Sequence, residues 1–89
     1  MEHISHEELT VWAFALRYAV QRHTCAPAVV CGFIRRQIPR MNPLQVEDIL
    51  REVSKFINQR AYADDLALED LQRLREALEK AYEKAYAET

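Results

Sequence analysis

Between residues 9 and 46 the 89-residue chain carries five arginines and no acid: Arg17, Arg22, Arg35, Arg36 and Arg40. All 14 acidic residues lie outside that window with the other seven Lys or Arg, so the formal net charge of −2 divides into +5 and −7. A guanidinium presents a planar fork of donors that matches carboxylate and phosphate, the chemistry expected of a surface that meets an anionic partner or ligand. The competing reading is a solvated face whose arginines pair with the acids of the last helix, within one chain or across an oligomer interface. Tyr18 and Arg22 are four apart and share one helix face, with Arg17 and Gln21 on the adjacent one. Arg22 and His23 would also suit a helix C-terminus, where cations are favoured by the dipole. Arg17 lies between Leu16 and Tyr18 in a highly apolar stretch and is expected to be buried, which demands either a carboxylate partner or a ligand.

Other chemistry is poorly supported. Cys25 and Cys31 are six apart and, with His3, His6 and His23, lack the paired close spacing of a metal site. They read as free thiols, Cys31 in the core and Cys25 in a loop. Cys25 with His23 is the one nucleophile–base pair worth naming, yet nothing orients the base, so no catalytic residue, cofactor or enzyme activity is expected. Gly32 is the sole glycine and falls inside a helix, which excludes a Gly-rich phosphate loop and suggests a close-packing point between helices. Nucleic-acid binding is disfavoured, because one candidate recognition helix carries Glu47, Asp48 and Glu52 and the other only Arg35 and Arg36.

The elements that must position these residues are helical. Twelve Ala against one Gly and three Pro point to an all-α fold in a single domain. Ser5 and Glu8 form a capping box for a first helix over about 6–23, with Leu9, Trp12, Ala13, Leu16, Ala19 and Val20 on its inner face. Val11, Phe14 and Tyr18 lie off that stripe, so a second side of this helix faces either the bundle or an oligomer interface. Pro27 opens a short helix over about 27–38, capped by Thr24 or Ala26 and ended by Pro39. Asn42, Pro43 and Gln45 repeat the start signal for a third over about 43–59. A fourth, over about 66–87, follows a cap at Asp64 or Asp65 and carries Leu71, Leu74 and Leu78 on one face. The spacings of Glu69 with Arg73 and of Glu76 with Lys80 suit ion pairs along it. At roughly 33 Å it is longer than the second helix can cover, so its C-terminal half is expected to project or to pack on another protomer. No apolar run approaches the ~18 residues of a membrane span and no secretory leader precedes the first helix, which makes a cytoplasmic location the default.

The run from Trp12 to Thr24 resembles a motif of small phage- and prophage-encoded helical proteins, R-Y-A-L-G-R-x-T near the N-terminus. Arg17, Tyr18, Ala19, Arg22 and Thr24 match it, while Val20 and Gln21 stand where Leu and Gly are usual. The resemblance continues weakly through Val29, Val30 and Ile34 and into the helix around Ile49 to Ile57. It implies an accessory phage protein acting in the host cytoplasm, including inhibitors of host defence. The expected function is therefore binding: an inhibitor or adaptor docking on a host protein that has an acidic or nucleic-acid-binding surface. The alternative is an oligomer, joined through its C-terminal helix, that sequesters a small anionic ligand such as a nucleotide signal. The residues expected to make contact are Arg17, Tyr18, Arg22, Thr24, Arg35, Arg36 and Arg40.

Overall fold

The computed structural model describes residues 4–22 and 27–87, and each helix in it begins and ends where local chemistry allows. Helix α1 spans His6–Arg22, and the Glu8 N–H donates to Ser5 Oγ at 3.1 Å, satisfying one of the orphan donors of the first turn. His23 and the cap candidates Thr24 and Ala26 lie outside the described residues. Helix α2 spans Pro27–Gln37, slightly shorter than expected. The chain does not leave helical geometry before Pro39 but tightens into a 3-10 turn, Ile38–Arg40, closed by the Met41 N–H on the Ile38 carbonyl at 2.9 Å. Pro39 is tolerated because the first positions of that turn need no N–H donor.

Helix α3, Pro43–Asn58, starts with both halves of a capping box: the Gln45 N–H donates to Asn42 Oδ1 at 2.9 Å and the Asn42 N–H to Gln45 Oε1 at 3.0 Å. The Gln45 side-chain amide also donates to the Ile4 carbonyl, tying the chain before α1 to the start of α3. At its other end the Ala61 N–H reaches the Phe56 carbonyl at 2.8 Å and the Arg60 N–H the Ile57 carbonyl at 3.2 Å, the bond pattern of a Schellman motif. Arg60 occupies the left-handed position of that motif with φ 54°, where glycine is usual. Asp64 then caps helix α4, Asp65–Ala87, accepting from the Ala67 N–H at 3.0 Å.

Helix α4 is the spine. At ~1.5 Å per residue its 23 residues account for most of the 38 Å long axis of the molecule. Leu71, Leu74 and Leu78 are fully buried along it, each contributing on the order of 2 kcal/mol of burial. Helices α2 and α3 both pack on α4, and α1 packs on α2. The C-terminal half of α4 does not project as a whole: Ala81 and Tyr82 pack on the core, with Tyr82 near Glu47 of α3, while Glu83, Lys84, Tyr86 and Ala87 beyond them are exposed.

Two further expectations are corrected. A Cβ added to Gly32 would meet nothing within 4 Å, so this glycine faces open space and is not a helix-crossing point. Of the two helical charge pairs, Lys80–Glu76 forms at 3.4 Å, whereas Glu69 and Arg73 make no ion pair among the described residues.

Candidate functional site

Helix α1 has two apolar sides. Leu9, Leu16, Ala19 and Val20 face inward and are buried. Val11, Phe14 and Tyr18, at successive spacings of three and four, face outward with 62%, 65% and 61% of their surface exposed. The exposed apolar surface extends onto α2 through Val29 and Phe33, and the half-buried Trp12 meets the Phe33 ring edge-on at 5.3 Å. Rows of exposed aromatic and aliphatic side chains at helical spacing are unusual on an isolated soluble domain and mark a contact surface.

The arginines frame this surface without joining into one cluster. The Arg22 guanidinium sits 5.9 Å from the centre of the Tyr18 ring, within cation–π reach. Arg17 is exposed, not buried, because its apolar neighbours Phe14 and Tyr18 are themselves turned to solvent, so the expected requirement for a buried partner falls away. It lies instead on the wall of a cleft against α3. Arg35 and Arg36 are exposed on the last turn of α2. Arg40 is half-buried, and its Nη1 donates to Gln37 Oε1 at 2.8 Å. The Ile4 N–H reaches the Arg40 carbonyl, so this end of α2 lies beside the start of α1. The three contact residues on α1 and the three after Ile34 therefore sit towards opposite ends of an antiparallel pair. Thr24 lies outside the described residues.

None of these five arginines pairs with a carboxylate among the described residues, so the expected pairing with the acids of α4 does not form there within one chain. The ion pairs among the described residues lie within single helices: Arg51 with Glu47 and Asp48, Arg75 with Glu79, and Lys80 with Glu76. Exposed as they are, each is worth a few tenths of a kcal/mol.

The feature that sequence reasoning missed is the cleft itself. It lies between α1 and α3, holds about 310 Å³, and has Leu9, Ala13, Phe14, Ile49 and Phe56 among its apolar lining. Phe14 could have been singled out, since its place off the inner stripe was visible, but that it lines one cleft together with Phe56 is a product of packing. No group of three His, Cys, Asp or Glu side chains suited to a metal occurs among the described residues. The Cys31 thiol is buried and free, and burial foremost, with Asp70 adding and Arg35 opposing, pushes its pKa from 9.0 up to about 12. Such a thiol is a core residue and a poor nucleophile. No helix among the described residues is long and apolar enough to cross a membrane. The chain matches no known protein family, no curated protein and no solved structure.

Proposed function

We propose that this chain is a small phage-type binding protein, an inhibitor or adaptor that docks on a host protein through the outer face of α1 and the adjoining face of α2. The observation that carries the docking is the row Val11, Phe14 and Tyr18, exposed on a helix whose other side is already fully used by the core. Aromatic anchors flanked by arginines are the composition of binding hot spots. Arg22, Arg35 and Arg36, exposed and without an ion-pair partner among the described residues, supply the complement to an acidic protein surface and would speed its association. Nucleic acid itself is the less favoured partner, since α3 carries Glu47, Asp48 and Glu52. The phage-type origin rests on the resemblance of the Trp12 to Thr24 run.

Affinity capture of the host partner by the tagged protein, compared across variants, tests this reading. Tyr18→Asp should abolish capture, and Arg35→Glu with Arg36→Glu should weaken it at least tenfold and flatten its salt dependence. Capture that ignores the charge reversals rules out the proposed surface.

A second reading, an oligomer that sequesters a small anionic ligand such as a nucleotide, is favoured by the Tyr18–Arg22 pair and by Arg17 having no carboxylate partner among the described residues. Tyr86, 52% exposed beside Tyr82 near the end of α4, is the surface through which such an oligomer would join. Native mass spectrometry separates the two readings: a ligand-free monomer removes the second, whereas a defined oligomer that holds nucleotide, and loses it in Arg22→Ala, removes the first.

A further inference from the structure

The α1–α3 cleft has both apolar and charged walls. Leu9, Ala13, Ile49 and Phe56 line it together with Asp48 and Arg51, which pair with each other at 3.6 Å. A smaller hollow of about 110 Å³ adjoins it, sharing Arg17, Glu52 and Phe56 with it and adding Gln21, Lys55 and Gln59. Two cations and one half-buried carboxylate leave this hollow with a net charge of +1, and the two carboxamides add N–H donors. Neither Arg17 nor Lys55 makes an ion pair among the described residues. The smaller hollow is therefore complementary to one negative charge, and the apolar side chains lining the cleft to what is attached to it.

The volume lies at the small end of the range for ligand sites, too small for a folded domain to enter and suited to the tip of a chain. His6, Thr10 and Asp48 on its edges are groups a peptide backbone can use and an alkyl tail cannot. We infer that the cleft captures the free C-terminus of a partner polypeptide. The terminal carboxylate sits on Arg17 and Lys55, and the last apolar side chains lie against Phe56 and Ile49. Capture of a terminal carboxylate by fixed donors is an established mode of peptide recognition. The inference is independent of docking through the outer face of α1, although Phe14 borders both surfaces.

The test is a fluorescence-anisotropy titration of the full chain with fluorescein-labelled pentapeptides whose last three positions are drawn from Ala, Val, Leu, Ile and Phe. One pool ends in a free carboxylate and the other in an amide. The acid pool is expected to half-saturate at a concentration at least tenfold lower than the amide pool. Arg17→Gln with Lys55→Gln should remove that preference while the helical circular-dichroism signal stays unchanged. Equal half-saturation of both pools, a preference that survives the double variant, or no saturable binding up to about 1 mM would each overturn the inference. Octanoate binding in the absence of acid-pool binding would overturn the polypeptide as occupant. Arg35→Glu and Arg36→Glu lie on α2, outside the cleft, and should leave the titration unchanged, so this result is separable from failure of the docking surface.

Discussion

Cys31 shows how burial alone sets the chemistry of a residue. Its ionised form would have to exist among Ile34 and the leucines of α4 without solvation, so the folded state holds the proton up to about pH 12 while the unfolded chain releases it near 9.0. The folded pKa is raised, so the associated stability is fully present below pH 9 and is lost as pH rises towards 12. Within that window the slope from this one group should be about −1.4 kcal/mol per pH unit. Urea titrations of Cys25→Ser at pH 7, 9 and 10, alongside Cys25→Ser with Cys31→Ala, isolate its contribution. Stabilities of Cys25→Ser and of the double variant that fall in parallel above pH 9 would refute the assignment. In the native Cys25→Ser protein, the thiol should also stay unreactive towards a disulfide reagent at pH 8 until the chain unfolds.

Helix α2 and the end of α3 each carry a residue that local backbone preference would replace. Gly32 is mid-helix with open space where a Cβ would go, so it loses backbone entropy on folding and gains no packing in return. Gly32→Ala should raise stability by roughly 0.5–1 kcal/mol, read as a higher urea midpoint with an unchanged slope. Arg60 is the converse, a side-chain-bearing residue at φ 54°, and its Cβ crowds the following carbonyl. Arg60→Gly should stabilise by about 1 kcal/mol in thermal denaturation, despite glycine's general cost elsewhere. A fall in melting temperature for Arg60→Gly would mean that the arginine side chain contributes more than the strain it imposes.

As a whole, the molecule is organised around α4. Its leucines contact the helices on both sides, so truncating one removes packing from more than one interface. Leu74→Ala should cost about 2–5 kcal/mol. An 89-residue domain has a total stability of roughly 4–13 kcal/mol, so this single change removes a large fraction of it. By contrast, Val11→Ser on the outer face of α1 should change stability by less than about 0.5 kcal/mol, because its side chain is already in water. A destabilisation of Val11→Ser that depends on protein concentration would instead mean that this face is covered by a second copy of the chain.

Sequence alone determined the four helices, because their signals are local. Ser5, Asn42 with Gln45, and Asp64 sit within a turn of the N–H groups they satisfy, and the periodic leucines of α4 need no distant partner to be recognised. The two sides of α1 were legible in the same way, as were the five arginines. Only the tertiary structure decided which way Arg17 faced, since an apolar neighbourhood along the chain implies burial only if the neighbours are themselves inside. Phe14 and Tyr18 are not. The packing of Ala81 and Tyr82 on the core, the open space beside Gly32 and the cleft between α1 and α3 were likewise set by how helices distant in sequence pack. Those contacts depend on summed side-chain shape across the whole core, and no local pattern encodes them.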